Sequence, residues 1–543
     1  MTATTQPAQP APAVPFEPLP PADPGLGTRT LAHVLLRAAR EHPDTVAVSV
    51  EGEPAVTYAE LLDRARGLAA SLERRAPQAR HVGLLLPNGA AFVVGLYAAA
   101  LARRTAVLLN PRLRDPELVY QVGQSQVGVL IAADAPGRPL ASLFPALEKD
   151  HVDPAVIWAG SGTPPTGEPL EDWLADVPEP AAGPGDLPDE EDVAVIIYTS
   201  GSTALPKGVM LRHRSVVRNA EVVAERFGAT DRDRVFSAGP FFHSGGLTMQ
   251  LVLAALVGAP AYSVAAFDPT TVLDIVEREQ ITLYSGIETL FLRLTEARGF
   301  ARERLASVRS GWTTGTPAIL HAIADEVGIP GVICIYGISE AAPNVTMSPA
   351  DDTPEHRLET VGRPQDGTEV RLLDPVTGED VGIGRPGEIA VRSYGVMAGY
   401  WDKPAETAEA LAGGWLHTGD LAVRRPDGYL SFAGRIKDIV RVGGENVSCS
   451  EVENALYGLG GIELASVIPV DDGARGQRVV AAVRMAEGAP FDEDGMIAAL
   501  RGRLAGYKVP SRIVHVPQMP LTESGKVVKR RLAEVVEPLL GQR

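Results

Sequence analysis

The chain has 543 residues but only two cysteines, Cys334 and Cys449. Two thiols cannot build a disulfide framework or a metal cluster, so we expect a protein of the reducing cytoplasm in which both cysteines are small buried residues. Basic charge is also scarce, because 50 Lys and Arg stand against 68 Asp and Glu and give a formal net charge of −18. This balance disfavours nucleic acids and anionic membrane surfaces as partners.

A long uninterrupted apolar run is missing as well. The segment Thr248–Phe267 lacks charge, but Gln250, Gly258 and Pro260 divide it into a predicted buried helix and a strand, so we expect no stable membrane association. Residues 1–27 are rich in Pro and Ala and lack the basic and apolar regions of a signal peptide. They are predicted to form a disordered arm. Internal repeats and coiled-coil heptads are absent too.

The length exceeds that of a single core, and 45% hydrophobic residues suffice to fill more than one domain. Up to about residue 345, apolar strands alternate with amphipathic helical stretches, which predicts parallel sheets covered by helices. The predicted strands are Val82–Leu86, Ala106–Leu109, Gly128–Ala132, Val193–Ile197 and Val332–Ile335. The predicted fold class is therefore α/β.

The pattern of apolar and polar residues changes after residue 360. Short alternating strands such as Glu369–Leu373 and Gly387–Arg392 are separated by Gly and Pro turns and predict an antiparallel, barrel-like subdomain. Residues after Gly434 carry their own small α/β pattern, with predicted strands at Leu464–Val470 and Arg478–Val483. We therefore predict an arm (1–27), a large domain (28–434) and a small domain (435–543).

The stretch from Tyr198 to Val209, YTSGSTALPKGV, suits a polyphosphate, because glycines free backbone N–H groups and Lys207 adds a mobile positive charge. It follows the predicted strand Val193–Ile197, so it leaves the carboxyl end of a strand, where α/β sheets place ligands. A GK[ST] sequence does not follow, so it is not the P-loop of classical NTPases. The alternative is a solvated turn. The candidate donors are Thr199, Ser200, Gly201, Ser202, Thr203, Lys207 and Gly208.

Five further motifs follow this loop in the sequence: YGISE (336–340), WLHTGD (415–420), GRIKD (434–438), GGEN (443–446) and LTESGK (521–526). Together the six blocks resemble, in order and spacing, those of the acyl-adenylate-forming superfamily, which includes acyl-CoA and aryl-CoA synthetases, amino-acid adenylation domains and luciferases. The acyl-CoA synthetase branch is the most similar. Ala204 replaces the second glycine of the family loop, YTSGTTGxPKG.

The resemblance implies a nucleotide site. Tyr336 would offer its ring to adenine, with Gly337 and Ser339 in the same segment and Gly315, Thr316 and Pro317 forming the adenine turn. Cys334 stands where the family usually has Asn, Gln or Asp, so the contact to the adenine amine must come from elsewhere. Asp420 would accept from both ribose hydroxyls, joined by Arg435. A structural Asp420–Arg435 salt bridge is the alternative.

The resemblance also assigns the catalytic groups. Glu340, with Thr203, would hold Mg²⁺, and Lys526 would reach the α-phosphate and the attacking carboxylate. The local alternatives are an exposed acid and a solvated lysine. A carboxylate attacking the α-phosphorus of ATP needs fixed cations because charge builds on the phosphoryl oxygens, whereas it needs no general base because the acid is already ionised.

The acyl pocket is assigned to His243 and Ser244 of PFFHSGGL, to Trp312 and to Glu288. His243 resembles the residue at the pocket gate, although a lone His is often packed in a core. Glu288 lies in GIET, where relatives commonly read GVPT. If its carboxylate faces the pocket, it disfavours a long fatty acid and favours a small or aromatic acid with an amine or hydroxyl, for example an aminobenzoate. Alternatively, Glu288 begins the following helix and faces water.

Residues 435–543 resemble the family's rotating lid, with Lys437 at the hinge and Gly443 and Gly444 lining a pantetheine channel. The predicted enzyme is an ATP-dependent, AMP-forming acid–thiol ligase with ATP, Mg²⁺ and coenzyme A as cofactors, suited to secondary metabolism. The alternatives are an adenylating enzyme that uses a carrier-protein thiol, an amine or adenylated nitrite in a diazo-forming reaction, and a non-catalytic homologue. The sequence is compatible with a homodimer and with a carrier protein as a partner.

Overall fold

The computed structural model describes residues 28–175, 187–199, 205–442, 445–472, 477–521 and 527–541. The predicted arm, residues 1–27, lies outside the described residues. So do three segments that carry predicted site residues, namely 200–204, 443–444 and 522–526.

The strands are β1 (Val46–Val50), β2 (Val56–Thr57), β3 (His81–Leu85), β4 (Thr105–Leu108), β5 (Val127–Ala132), β6 (Ala155–Trp158), β7 (Glu168–Pro169), β8 (Val193–Thr199), β9 (Lys207–Arg212), β10 (Val235–Ser237), β11 (Ala261–Ser263), β12 (Leu283–Ser285), β13 (Gly311–Thr313), β14 (Val332–Gly337), β15 (Asn344–Met347), β16 (Arg363–Pro364), β17 (Thr368–Leu373), β18 (Pro386–Ser393), β19 (Gly399–Tyr400), β20 (Leu416–Arg424), β21 (Leu430–Arg435), β22 (Ile439–Val442), β23 (Glu445–Ser448), β24 (Ile462–Asp471), β25 (Gln477–Met485) and β26 (Arg512–His515).

The α-helices are α1 (Leu31–Glu41), α2 (Tyr58–Arg75), α3 (Ala90–Leu101), α4 (Asp115–Gln124), α5 (Leu143–Lys149), α6 (Leu170–Leu174), α7 (His213–Phe227), α8 (Ser244–Gly246), α9 (Leu253–Val257), α10 (Pro269–Arg278), α11 (Glu288–Leu292), α12 (Pro317–Ala322), α13 (Pro354–Glu359), α14 (Pro404–Ala410), α15 (Cys449–Tyr457), α16 (Glu493–Arg501) and α17 (Lys529–Val536). A π-helical turn, Leu247–Val252, joins α8 to α9.

Two large sheets carry the first part of the chain. One has eight strands in the order β19-β9-β8-β4-β3-β5-β6-β7, parallel from β8 to β7 and antiparallel at β9 and β19. The other has the order β12-β10-β11-β1-β2, in which only the short β2 is antiparallel. Helices cover both sheets, and for this reason strands such as β3 are buried along their whole length. The predicted α/β class and the five predicted strands are confirmed.

A smaller sheet, β13-β14-β15-β16, presents the end of β14 to the candidate site. Gly337 ends this strand, and a Cβ atom there would lie 2.2 Å from Pro343 O, so glycine permits the close approach of β14 and its return strand β15. A single 3₁₀ turn, Ser339–Ala341, follows directly. The motif YGISE therefore spans a strand end and a tight turn.

The segment predicted to be barrel-like forms the antiparallel sheet β17-β18-β20-β21. Its closure into a barrel stays a prediction. Residues from Val440 onward pack into two apolar clusters of their own, around the sheet β24-β25-β26 and helices α15 to α17. The domain boundary after Gly434 likewise stays a prediction. Within the described residues, no helix is both long and apolar enough to cross a membrane.

Candidate active site

The phosphate end of the candidate site is a hairpin. Strand β8 ends at Thr199 and β9 begins at Lys207, and these two residues pair directly. The predicted donors Ser200, Gly201, Ser202 and Thr203 lie between them, outside the described residues. Lys207 is held next to Tyr400, because Tyr400 pairs with Val209 and side chains two residues apart share a face of a sheet. The Lys207 ammonium lies 4.3 Å from the centre of the Tyr400 ring.

Glu340 lies in the turn after β14 and is linked to the same tyrosine. The Tyr400 hydroxyl donates to Glu340 Oε1 at 2.9 Å, and Met397 N donates to the Glu340 carbonyl at 2.9 Å. Burial, followed by the charge of Glu340, raises the pKa of Tyr400, so the phenol stays protonated and remains a donor. Glu340 Oε2 accepts no hydrogen bond from the part of the chain that the structure describes.

This donor set fits Mg²⁺, which prefers carboxylate and phosphate oxygens. The described residues contain no group of three or more His, Cys, Asp and Glu side chains that could hold a metal ion alone. A cation at Glu340 would therefore take most of its ligands from nucleotide phosphates and water.

The predicted ribose end of the site is built around Asp420, which is 4% exposed. Tyr336 donates its hydroxyl to Asp420 Oδ2 at 2.9 Å, and Arg435 Nε lies 3.0 Å from Oδ1. Asp420 and Arg435 are direct partners on β20 and β21, so the register of the sheet fixes the ion pair. The binding of the ribose hydroxyls by Asp420 stays a prediction.

An aromatic residue that the sequence did not suggest lies beside Asp420. The Tyr336 ring is 6% exposed and stacks on Phe432 with ring centres 6.1 Å apart, whereas the Phe432 side chain is 39% exposed. The accessible aromatic surface in this region therefore belongs to Phe432. Its only sequence signal was an aromatic residue in an alternating strand. The contact of Tyr336 with adenine stays a prediction.

The predicted adenine turn is held by Cys334. Gly315 adopts a φ of 144°, which favours glycine, and its carbonyl accepts from Cys334 Sγ at 3.6 Å. Thr316 caps α12 through its hydroxyl, and Pro317 occupies the first turn. Burial, with a smaller effect of Glu288, raises the pKa of the Cys334 thiol to about 12. Cys334 and Cys449 are both buried, as predicted.

The residues predicted to line the acyl pocket lie next to the Glu340 turn. Ser244 Oγ is 3.4 Å from Ser339 Oγ, and His243 directly precedes α8 with its side chain exposed, unlike a packed core histidine. The Trp312 ring faces the same segment, since a Cβ atom at Gly245 would lie 3.2 Å from it. Trp312 is 9% exposed, and its Nε1 has no hydrogen-bond partner among the described residues.

Glu288 is the first residue of α11 and is half-buried. Its Oε2 accepts from Thr314 Oγ1 at 2.9 Å, so the carboxylate already has a donor within the protein. This is the helix-start position anticipated as the alternative, with a side-chain partner added. The role of Glu288 in selecting the acid stays a prediction.

The predicted lid residues Lys526, Gly443 and Gly444 lie outside the described residues. Lys437 lies in a 3₁₀ turn, Ile436–Asp438, and its role as a hinge stays a prediction. A half-buried cluster that sequence reasoning missed adjoins this turn, with Lys529 Nζ 3.5 Å from both Asp438 Oδ2 and Glu453 Oε1. Burial alone would lower the pKa of Lys529, but the nearby carboxylates outweigh it and raise that pKa.

Comparisons with known proteins agree with this geometry. The chain matches the family of AMP-binding enzymes over residues 35–401 and the C-terminal domain of AMP-binding enzymes over residues 451–526. It is 36% identical to feruloyl-CoA synthase of Amycolatopsis sp over 91% of this chain and 96% of that protein. It superposes on ATP-bound MatB from Rhodopseudomonas palustris with a TM-score of 0.83 and 27% identity, covering 94% and 99% of the two chains.

A third similar protein has both ATP and a magnesium ion bound. It is O-succinylbenzoate coenzyme A synthetase (MenE) from Bacillus subtilis, with a TM-score of 0.78 and 25% identity, covering 92% of this chain and 98% of that chain. The predicted use of ATP, Mg²⁺ and coenzyme A is confirmed, as is the AMP-forming acid–thiol ligase class. The chain belongs to the AMP-binding enzyme family.

Proposed function

We propose that the enzyme activates an aromatic carboxylic acid with an oxygen substituent on its ring. In the first step the acid and ATP give an acyl-adenylate and pyrophosphate. In the second, the thiol of coenzyme A attacks the acyl carbonyl, its proton is lost and AMP leaves. The acid was expected to be small or aromatic, and similarity to a feruloyl-CoA synthase supports the aromatic choice.

One observation carries the adenylation step. Tyr336 and Glu340 lie at the two ends of YGISE. Tyr336 donates a hydrogen bond to Asp420. Glu340 accepts one from Tyr400, whose ring contacts Lys207. A nucleotide lying along this segment would present its ribose to Asp420 and its phosphates to Lys207. These two links support the proposal that one ATP molecule binds along this strand end.

The chain's own cations would lower the barrier to the first step. The attacking carboxylate and the α-phosphate are both anionic, and pyrophosphate departs with further negative charge. Lys207 would hold the phosphates, and Lys526 would bridge the α-phosphate and the carboxylate. Mg²⁺, when bound by Glu340 and Thr203, would neutralise phosphate charge. His243 and Ser244 would lie at the entrance to the acyl pocket.

The choice of acid rests on polar atoms buried without partners. Trp312 Nε1 and Thr248 Oγ1 have no hydrogen-bond partner among the described residues, and Thr248 lies one helical turn beyond Gly245. A buried donor left unpaired costs about 1–3 kcal/mol, which a ligand oxygen recovers and an alkyl chain does not. Similarity to a feruloyl-CoA synthase supports the same choice. Glu288 favours an aminobenzoate as a second candidate, although Thr314 already supplies it with a donor.

The test is a panel of acids incubated with the enzyme, ATP and Mg²⁺, with and without coenzyme A. The panel contains ferulate, cinnamate, benzoate, an aminobenzoate and decanoate. Pyrophosphate release reports the first step and mass spectrometry of the thioester reports the second. We expect ferulate to have the highest kcat/KM. A preference for decanoate would refute the proposed acid, and an adenylate that forms but is not passed to coenzyme A would point to another nucleophile.

The Trp312 contact has its own test. Trp312→Phe keeps an aromatic ring but removes the N–H, so the kcat/KM ratio of ferulate to cinnamate should fall by about tenfold. Trp173→Phe is the matched control, because Trp173 Nε1 is also buried without a partner among the described residues and lies on α6. An unchanged ratio in Trp312→Phe would remove the argument for an oxygen substituent.

A further inference from the structure

Tyr400 lies between two groups of opposite charge at the phosphate end of the site. Its hydroxyl donates to Glu340 Oε1, and its ring face carries the Lys207 ammonium at 4.3 Å. No ion pair joins Lys207 directly to Glu340 within the part of the chain that the structure describes. A single neutral side chain therefore contacts both the proposed metal ligand and the proposed phosphate cation.

The backbone around Tyr400 fixes the position of this side chain. Gly399 and Tyr400 form the short strand β19, paired with Met210 and Val209 at the edge of the eight-stranded sheet. Tyr400 N donates to Thr407 Oγ1 at 2.9 Å, and Lys403 N donates to Tyr400 O at 3.2 Å. The ring is 7% exposed. Its two contacts are thus set by the sheet register and not by a mobile surface side chain.

We propose that Tyr400 is a positioning residue for the magnesium complex of ATP, an inference that rests on the proposed function. Its hydroxyl orients the Glu340 carboxylate so that one oxygen is held and the other is free for the metal. Its ring holds the ammonium of Lys207 by a cation–π contact that leaves all three N–H donors available to phosphate. Because Tyr400 lies between Lys207 and Glu340, it also prevents an ion pair between them that would keep both groups from binding the nucleotide and its metal ion.

Two substitutions separate the hydroxyl from the ring. Tyr400→Phe keeps the cation–π contact and removes the hydrogen bond, whereas Tyr400→Leu removes both. Calorimetric titration of ATP without any acid measures binding directly, once with saturating Mg²⁺ and once with a metal chelator. For Tyr400→Phe we expect the Kd with Mg²⁺ to rise by about tenfold, as for loss of a hydrogen bond to a charged group, and the Kd without metal to stay unchanged. For Tyr400→Leu both should rise.

A matched control is provided by Tyr429, another buried tyrosine whose hydroxyl donates to a carboxylate, that of Asp352. Tyr429→Phe should leave both Kd values unchanged. In a Glu340→Gln background, Tyr400→Phe should add no further Mg²⁺-dependent loss, because its effect acts through Glu340.

The proposal is overturned if Tyr400→Phe binds Mg²⁺·ATP like wild type, or if it weakens binding equally with and without metal. It is also overturned if the melting temperature and binding fall together, because Tyr400 would then support only the fold. A wild-type enzyme that binds Mg²⁺·ATP but adenylates no acid would refute the proposed function alone, since the titration contains no acid.

Discussion

At the scale of single residues, Asp420 combines a structural contact and a proposed ligand contact. It accepts from the buried Tyr336 hydroxyl and from Arg435, whose side chain is 46% exposed. Removing it takes the charged acceptor away from the buried Tyr336 hydroxyl, so Asp420→Ala should lower the free energy of unfolding by about 1–3 kcal/mol. It should also weaken ATP binding by at least about tenfold, because ribose loses its acceptor. Urea unfolding and calorimetry measure the two effects.

The double variant Asp420→Ala/Tyr336→Phe separates these effects. Removing the hydroxyl that has lost its carboxylate acceptor should restore part of the lost stability and none of the ATP affinity. If affinity recovers together with stability, Asp420 is only a salt-bridge partner and the ribose assignment is wrong.

The two cysteines give a prediction about reactivity. Burial is the main reason that the thiol pKa rises to about 12 for both Cys334 and Cys449. The thiolate is the reactive form, so at pH 8 the native protein should react very slowly with a disulfide reagent. Both thiols should react within minutes in urea. Rapid modification of one thiol in the native protein would show that its burial is wrong.

At the scale of elements, a buried histidine joins two helices. Leu31 N, at the start of α1, donates to Nδ1 of His213, the first residue of α7, so this nitrogen is unprotonated. Burial lowers the pKa of His213 to about 3. Between pH 6.5 and pH 3 the unfolded state protonates this histidine, whereas the folded state does not. The contribution of His213 to stability is therefore fully present above pH 6.5 and is lost as the pH falls toward 3.

His213→Asn tests this assignment. The amide oxygen of Asn can replace Nδ1 as acceptor but does not titrate. Between pH 7 and pH 5, wild type should lose about 2 kcal/mol more stability than His213→Asn, measured from urea unfolding at each pH. Equal losses in the two proteins would mean that His213 is not held neutral.

The strands were predictable where burial produces a continuous apolar run, as in Val193–Ile197 and Gly128–Ala132. The short strand β19 was not, because its two residues pair with Met210 and Val209, far away in sequence. Register between distant segments leaves no local pattern. The same limit explains why the antiparallel edge of the large sheet was missed.

The candidate site likewise contains residues that local sequence motifs reveal and contacts that form only between distant segments. Asp420 and Arg435 were recognisable because each lies in a motif with characteristic neighbours. The contacts of Tyr400, Phe432 and Lys529 were not, since each depends on side chains that meet only after distant elements pack. Trp312 was assigned to the acyl pocket from the sequence, but its unpartnered N–H is a property of burial and not of sequence.

At the scale of the whole molecule, the negative net charge of the protein opposes the approach of ATP. A net charge of −18 repels ATP at long range, so binding needs local positive charge, which we predict Lys207, Arg435 and Lys526 to supply. Screening by salt weakens the long-range repulsion more than these short contacts. Moderate ionic strength is therefore compatible with tight binding of ATP.

The last prediction concerns the small C-terminal part, which has its own apolar clusters and meets the rest of the chain beside the turn Ile436–Asp438. If this part presents Lys526 only during adenylation, Lys526→Ala should slow pyrophosphate release by about three orders of magnitude, the scale of a lost transition-state charge contact. Conversion of a preformed acyl-adenylate to the thioester should continue at the wild-type rate. Arg484→Ala is the control, because it removes a partly exposed cation paired with Glu463 in the same part of the chain and should change neither step. Equal slowing of both half-reactions by Lys526→Ala would mean that one arrangement of the lid serves both. The predicted rotation about Lys437 would then not be needed for catalysis.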